Sequence, residues 1–508
     1  MSTNALNQNF AGIPVEETVP DSAMVRGVSR SSLLTGRRRV RFQPQTGTSA
    51  SAQSIIQFVM ADSSSLLDLN SVVLSCTVSV TGTGDAALDD GMAWVRRATV
   101  ALNGTNIDDT DLANRFANAN VQGGAERSWY NSAGSFAGFW ASNPQLAVSG
   151  LTYPPTQYAV GDLSGALVAA STRYKLASAS GGGMQLAYPL SLVSRFFATK
   201  QYLPLSQCGE LVVQLLCASN GEAIYQRAGN TDATYALTNI FLEADFVQPH
   251  YLYQEMLNRV TQLEGEQGMV IPFNAVISAQ GQSVTSSGQA NIVTSLATNN
   301  LRRIIVTNSM TDYLGNINVP TISAFGNHGL TGVQWRVGSL YFPSQEAQSL
   351  GEIFWMSQSA WNHGEPLHQA NGCMDYNVFS KTTSPNGYQT TSSTYNPALT
   401  GNAPTYTVST GTPSQYWGDA AVIAYGFDNY KGGETLDADG ISVLGQAGSQ
   451  IVSLLRINPY TGAAASVSGA GLTVAQRAQI GSGVTPNIHL ERTRYLVLRM
   501  GSLRVEGV

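Results

Sequence analysis

Two long segments of the chain alternate apolar and polar residues, as a strand with one buried face requires. The first runs from Tyr235 to Pro249 and the second from Thr493 to Glu506. On one face of the second, the pattern places Leu496, Leu498 and Met500, and on the other Arg494 and Arg499. Because each segment is long and regular enough to close a sheet, we predict two β-domains in series.

A second pair of segments supports this division of the chain. Trp94–Leu102 and Trp335–Phe342 each begin with a tryptophan and each precede one of the two closing strands. The same order of segments in both halves predicts that the domains are divergent copies of one unit.

The composition restricts the kind of protein that these strands can form. The chain has 508 residues, of which 43% are hydrophobic and only 12% are charged, and it contains 50 glycines. This apolar content predicts a globular protein with more than one core, and the polar, glycine-rich remainder is typical of strands and long loops. A surface with few charges suits a subunit whose sides are covered by neighbouring subunits.

Charge is concentrated at one place near the N-terminus. The net charge of −6 argues against a general nucleic-acid binder, so we expect any such contact to be local. The basic cluster consists of Arg26, Arg30, Arg37, Arg38, Arg39 and Arg41. On a flexible arm these arginines would neutralise phosphates without reading bases, or they would serve only as a solubilising tail. The sequence leaves both interpretations open.

The cysteines and the N-terminus indicate the compartment. The four cysteines, Cys76, Cys208, Cys217 and Cys373, lack CxxC spacing and are expected to be small buried residues in a reducing environment. No basic start followed by an apolar run marks a secretory signal, so we predict synthesis in the cytosol. The longest apolar runs, such as Leu211–Ala218, are too short to span a membrane.

The pattern along the chain predicts four regions. Residues 1–36 form an arm, 37–250 the first domain, 251–266 a linker helix and 267–508 the second domain. Asn103-Gly104 is expected to be a hairpin turn. Long loops are predicted at about 120–200 and 360–418. Strands are predicted at 55–60, 72–80, 94–102, 210–216, 269–277, 292–296, 301–307, 333–342, 420–427 and 451–457.

We find no signature of catalysis, of a cofactor or of a metal site. Between His363 and His368, Gly364 and Pro366 prevent the helix of a zinc protease motif, so a loop is the better interpretation. The residues around Asp437-Ala-Asp439 resemble a calcium loop but end in glutamine where a glutamate is required. The sequence therefore predicts a protein that is not an enzyme.

Three segments in this order carry a resemblance to a known family: Leu102-Asn-Gly104, the run Leu203–Leu215, and Tyr235–Pro249 before a short helix. Over residues 37–508 the chain resembles double jelly-roll major capsid proteins of the adenovirus-hexon-like lineage, of the virophage and polinton-like virus type. The resemblance implies an all-β fold of two consecutive eight-stranded jelly-roll sandwiches, homotrimers that are pseudo-hexagonal capsomers, and an icosahedral virion shell of a DNA virus.

The resemblance also implies the partners of such a protein. These are further copies of the chain, penton and minor capsid proteins, and the genome or an inner membrane, contacted through the six arginines of the arm. The alternative is a carbohydrate-binding or carbohydrate-active β-sandwich, for which a loop rich in aromatic residues would be suitable. These aromatic residues are Trp129, Tyr130, Phe136, Phe139 and Trp140.

Overall fold

The computed structural model describes most of the first predicted domain and about half of the second. The described residues are 34–82, 86–125, 184–226, 231–249, 269–284, 288–295, 300–311, 330–361, 421–427, 450–457, 484–499 and 502–506, with short pieces at 129, 134, 137, 251, 314–315, 317, 322, 379, 388–390 and 413–416. The predicted linker helix at 251–266 lies outside them except for Tyr251. Most of the two predicted loops also lies outside them.

Thirteen strands in the described residues of the first domain form two facing sheets and one small ribbon. They are β1 (Leu34–Phe42), β2 (Ala50–Ser51), β3 (Ile55–Met60), β4 (Leu66–Asp68), β5 (Val73–Thr81), β6 (Ala86–Leu88), β7 (Val95–Leu102), β8 (Thr105–Asp111), β9 (Met184–Pro189), β10 (Tyr202–Pro204), β11 (Leu211–Cys217), β12 (Ile224–Gln226) and β13 (Thr234–Pro249). One sheet has the order β1-β13-β5-β9, with β2, β4 and β10 added at its edge, and the other has the order β3-β11-β7-β8. β6 and β12 form the ribbon.

The second domain repeats this topology. Its strands are β14 (Met269–Gln280), β15 (Gly288–Ser295), β16 (Leu301–Met310), β17 (Leu330–Val337), β18 (Leu340–Ala347), β19 (Tyr388–Thr390), β20 (Pro413–Tyr416), β21 (Val422–Gly426), β22 (Gln450–Ile457), β23 (Val484–Arg499) and β24 (Ser502–Glu506). The sheets have the orders β14-β23-β16-β21 and β15-β22-β17-β18. Each domain therefore contains two facing sheets that share a set of four strands in the same antiparallel order, with extra strands added to one sheet of each domain. This confirms the predicted pair of eight-stranded jelly rolls.

One helix follows the same hairpin in each domain. Helix α1 (Ala113–Gly124) comes after the β7–β8 hairpin, and helix α2 (Leu350–Trp361) comes after the β17–β18 hairpin. Neither helix is in the sequence prediction. Three single-turn 3-10 segments (Leu69–Ser71, Leu190–Leu192 and Arg195–Ala198) and two short helices (Leu205–Cys208 and Asn220–Ala223) complete the described elements.

The predicted hairpin turn at Asn103-Gly104 is confirmed. It joins β7 to β8, and Leu102 pairs directly with Thr105. Both turn residues have positive φ, 47° for Asn103 and 78° for Gly104. Such a turn twists in the same sense as the strands that it connects, and asparagine and glycine tolerate this backbone conformation best.

Several predicted strand boundaries are wrong for identifiable reasons. The segment Thr493–Glu506 is not one strand, because β23 ends at Arg499 and β24 runs back along it. The predicted strand at 333–342 is a hairpin around Gly338, which has a φ of 60°. Part of the predicted loop at 120–200 is β9, which pairs with β5. Alternation of apolar and polar residues alone does not show where a strand ends and the next one runs back.

The core of the first domain surrounds Trp94. Its indole Nε1 donates a hydrogen bond to the Tyr188 hydroxyl at 2.6 Å, and the Cys76 sulfur lies 3.5 Å from the same hydroxyl. All three side chains are fully buried. Cys76, Cys208 and Cys217 are buried free thiols, as predicted, whereas Cys373 lies outside the described residues. In the second core, Trp335 lies within β17, the counterpart of β7, whereas Trp94 directly precedes β7.

Helices α1 and α2 meet at a point where only glycine fits. A Cβ atom added to Gly123 would lie 2.2 Å from the indole ring of Trp361, whereas one added to Gly124 would lie 3.2 Å from that ring. We expect Gly123→Ala to lower the free energy of unfolding by about 1–3 kcal/mol because the indole must move. Gly124→Ala is the matched control, since its smaller conflict is offset by the better helix propensity of alanine. Chemical denaturation of both variants measures the difference, and equal stabilities would contradict it.

Candidate functional site: the domain interface and the arginine strand

The two domains meet where the free edge of β8 packs against β14. The buried Asp108 carboxylate of β8 accepts a hydrogen bond from the Ser194 hydroxyl at 2.5 Å and another from the backbone N–H of Val276 in β14. In return, Arg494 Nη1 donates to the Ile107 carbonyl of β8 at 2.6 Å. Side chains of each domain thus satisfy backbone groups of the other, as buried edge strands require.

The interface also contains a buried carboxylate held by two arginines. Glu491 of β23 accepts from Arg303 Nε at 2.9 Å and from Arg195 Nε at 3.2 Å, and Arg303 Nη2 forms a further contact with it. Arg195 belongs to the first domain, so Glu491 connects the domains. Burial by itself would raise the pKa of the Glu491 carboxyl, but the positive charges of Arg303 and Arg195 hold that pKa well below its usual range.

A histidine of β23, two residues from Glu491 along the strand, and an arginine of α1 are also buried at this interface. Arg115 of α1 donates to the Asn487 side-chain oxygen of β23 at 2.8 Å. His489 is fully buried, with Nδ1 2.7 Å from the Ser278 hydroxyl and its ring 5.7 Å from that of Phe116. Burial and the nearby Arg115 charge lower the pKa of His489 to about 3, so its imidazole stays neutral.

Apolar packing makes the interface continuous with both cores. Strand β14 packs into the core of the first domain through Ile271, Phe273 and Ala275. The ring centroids of Phe196 and Phe273 lie 5.3 Å apart. Leu496 and Leu498 of β23 belong to the same core. The sequence analysis placed Arg494 on the opposite face of the strand from Leu496 and Leu498. That prediction is wrong, because residues two apart lie on the same face of a strand. Their face is covered by the first domain.

Four of the six predicted site residues, Arg37, Arg38, Arg39 and Arg41, lie in β1 rather than on an arm. Their partners lie on neighbouring strands and loops. Arg37 Nη2 is 2.7 Å from Asp245 and 2.9 Å from Asp68, Arg39 Nε is 3.1 Å from Glu243, Arg41 Nη2 is 2.8 Å from Glu243, and Arg38 pairs with Asp62. We call this basic strand the arginine strand.

The ion pairs reduce the net positive charge of the arginine strand. Four guanidinium groups face four carboxylates, so their formal charges cancel locally, although each arginine side chain remains 52–61% exposed. Arg41 also lies over the Phe241 ring, with its Cζ 3.9 Å from the ring centroid. Arg26 and Arg30 lie outside the described residues.

The other sequence candidates contribute less to the described structure. Trp129 is partly buried and packs against the core of the first domain, whereas the other four aromatic residues of the carbohydrate hypothesis lie outside the described residues. His363, His368, Asp437 and Asp439 also lie outside them. The described part of the chain contains no group of side chains suited to a metal ion and no helix long and apolar enough to cross a membrane.

The buried ion pairs predict a large effect of removing one charge. Glu491→Gln removes the buried negative charge that Arg303 and Arg195 share, and we expect a loss of about 3–5 kcal/mol in the free energy of unfolding. The matched control is Glu346→Gln, because Glu346 pairs at 2.9 Å with Arg456, which is 54% exposed. That surface pair is expected to contribute about 0–1 kcal/mol. Denaturant titration compares the two, and similar losses would refute the role assigned to Glu491.

The interface also predicts how stability depends on pH. The pKa of His489 is near 6.5 in the unfolded chain and about 3 in the folded protein. His489 therefore lowers the free energy of unfolding as the pH falls from 6.5 to 3, by at most about 1.4 kcal/mol per pH unit. Burial raises the pKa of Asp108 to about 6, so Asp108 has the opposite effect between about 4 and 6. We therefore expect His489→Gln to flatten, and Asp108→Asn to steepen, the loss of stability from pH 6 to 4. Thermal melts at several pH values test both signs.

Comparisons with known proteins agree on the fold. No family model and no curated protein matches the sequence. Among solved structures, the chain is similar to VP54 of PBCV-1, fitted into a reconstruction of the virophage Sputnik, with a TM-score of 0.53, 11% identity, and coverage of 95% of this chain and 99% of that chain. A chain of the Sputnik virophage structure has a TM-score of 0.53 and 11% identity, with coverage of 96% of this chain and 91% of that chain. The Faustovirus major capsid protein has a TM-score of 0.52 and 9% identity, with coverage of 97% of this chain and 96% of that chain. The protein has the double jelly-roll fold of these viral capsid structures.

Proposed function

We propose that this protein is a structural major capsid protein whose copies assemble into an icosahedral virion shell. The observation that carries the proposal is the pair of eight-stranded jelly rolls joined by a large buried interface, over nearly the full length of VP54 and of the Faustovirus major capsid protein. Such a body is a rigid block, because side chains of each domain complete the backbone hydrogen bonds of the other. The low charge content favours close contact between blocks.

The proposed building unit is a homotrimer. Two domains of like topology in each chain give six similar units around a three-fold axis, and this number produces a pseudo-hexagonal outline that tiles a surface. Trimers would then contact other trimers, and penton and minor capsid proteins would complete the shell. The protein would be made in the host cytosol and function in the virion.

The carbohydrate alternative receives no support from a described residue. Trp129, its one described aromatic residue, packs against the core of the first domain. The capsid proposal accounts for the whole length of the chain, whereas a carbohydrate site would involve one loop.

Light scattering after gel filtration, followed by electron microscopy, tests the trimer. We expect a particle of three 53.9 kDa chains with a hexagonal outline in projection. The low charge content favours this state at micromolar concentration, because interface cores are depleted of charged residues. A monomer under these conditions, with no shells in cells that express the protein, would refute the proposed function.

The arm is proposed to contact the genome or an inner membrane. Since Arg37 to Arg41 are already paired with carboxylates, we assign most of this contact to Arg26 and Arg30. We expect binding of the intact protein to DNA or to anionic vesicles to fall steeply between low and moderate salt. Arg26→Gln with Arg30→Gln should weaken that binding without changing the trimer. Unchanged binding would identify the segment as a tail.

A further inference from the structure

A buried polar layer lies between α1 of the first domain and strands β16 and β23 of the second. On β23, Asn487 and His489 are two residues apart and therefore share one face of the strand. Thr307 of β16 lies directly opposite Asn487, on the same face. Helix α1 reaches this face through Arg115, which donates to Asn487, and through Phe116, whose ring contacts that of His489. Each of these five side chains is at most 3% exposed.

Arg115 brings a positive charge into this layer. Among the residues that the structure describes, no carboxylate forms a salt bridge with it. Glu222, Asp89 and Asp111 act on it from further away, and Glu222 and Asp111 already pair with Arg96, at 3.0 and 3.4 Å. Burial is the largest influence on the guanidinium group and lowers its pKa to about 10. A buried charge is unfavourable unless it is paired, so Arg115 requires an acceptor.

Three polar atoms of the layer lack a hydrogen-bond partner among the described residues. They are Arg115 Nε, His489 Nε2 and Thr307 Oγ1, and all three are buried. The other ring nitrogen of His489, Nδ1, lies 2.7 Å from the Ser278 hydroxyl of β14. When that hydroxyl donates to Nδ1, the imidazole proton is on Nε2, and all three atoms are donors. The shared requirement of this group is therefore an acceptor that carries negative charge.

A file of hydroxyl groups connects the polar layer with the surface. The exposed Ser283 hydroxyl lies 2.6 Å from Thr311 Oγ1, which lies 2.9 Å from Thr485 Oγ1. Thr485 pairs across the sheet with Ser309, and the Ser309 hydroxyl lies 3.5 Å from Asn487 Nδ2. A small ion that enters by local opening along this file keeps polar contacts at each step.

We propose that Arg115, His489 and Thr307 hold one small inorganic anion, such as chloride, sulfate or phosphate, between the two domains. The Nε–Nη2 edge of a guanidinium group is suited to an anion, and Arg303 uses that edge to hold Glu491 in the same protein. The imidazole N–H and the threonine hydroxyl complete the set of donors. The bound anion links α1 to β16 and β23, so it joins the domains beside the ion pairs of Glu491. This inference goes beyond the proposed function and does not depend on it.

Equilibrium dialysis of the full-length protein measures this site directly. Labelled chloride, sulfate and phosphate are tested in separate arms, with gluconate keeping the ionic strength constant. We expect at least one of the three anions to bind saturably, at about one per chain, and to raise the thermal midpoint until the site is filled. If none of them binds the parent saturably, the proposal is wrong.

Two arginine variants separate this site from general effects of salt. Arg115→Gln removes the buried cation, and we expect the dissociation constant of the anion to rise about 30-fold or more. Arg336→Gln is the matched control, because Arg336 is exposed on β17, and its anion affinity is expected to equal that of the parent. Equal affinities of the parent and a folded Arg115→Gln variant place the anion elsewhere and refute the site.

Milder changes decide the question if Arg115→Gln does not fold. Thr307→Val removes one donor but keeps the shape of the side chain, and His489→Gln removes the imidazole. Each variant loses one hydrogen bond to a charged acceptor, so we expect about tenfold weaker binding of the anion. Weaker binding in either variant supports the site, and unchanged binding in both contradicts it.

Discussion

The edge of β8 is the constraint on which the arrangement of the two domains depends. A strand at the edge of a sheet has free N–H and C=O groups, and burying them without partners costs more than the apolar contacts nearby gain. Here Asp108 accepts from the Val276 N–H and Arg494 donates to the Ile107 carbonyl, so two side chains complete the hydrogen bonds across the interface. The second domain is thus held at a defined position and cannot slide along the first.

Buried charge adds specificity to this contact at a cost in desolvation. Glu491 is 2% exposed and is acceptable inside the protein because Arg303 and Arg195 both reach it. An ion pair of this kind contributes little net stability compared with apolar packing, but it strongly disfavours any arrangement that separates its members. Since Arg195 lies in one domain and Glu491 in the other, separation of the domains would break the ion pair between Arg195 and Glu491 and leave Glu491 with Arg303. Rigidity of this kind is suitable for a shell subunit.

The repeated topology places equivalent elements in different surroundings. The first domain buries Ile107, Asp108 and Thr110 of β8 and ten of the twelve residues of α1. Their counterparts in the second domain, β18 and one face of α2, are more exposed. Asp108 and Arg494 contribute side-chain hydrogen bonds to the contact between the domains, whereas the outer strands carry exposed aromatic residues and arginines.

The sequence by itself determined the strands, because alternation of apolar and polar residues depends only on local geometry. It predicted β3 at Ile55–Met60, the turn at Asn103-Gly104, and two domains of like order. Helix α1 escaped prediction because it is short and rich in polar residues, and Asn114 and Asn118 are buried by hydrogen bonds to residues outside the helix that no local pattern shows. The single segment predicted at Thr493–Glu506 folds back on itself as β23 and β24.

The positions of the charged residues were decided only by the tertiary structure. A run of arginines near the N-terminus is typical of a free arm, yet Arg37 to Arg41 form a strand because their backbone pairs with β13. Asp245, Glu243, Asp68 and Asp62 then pair with the arginine side chains. Asp108 and Glu491 are ordinary acidic residues in the sequence. Their burial and their altered pKa values arise from contacts between residues 86 to 296 positions apart, which no local pattern encodes.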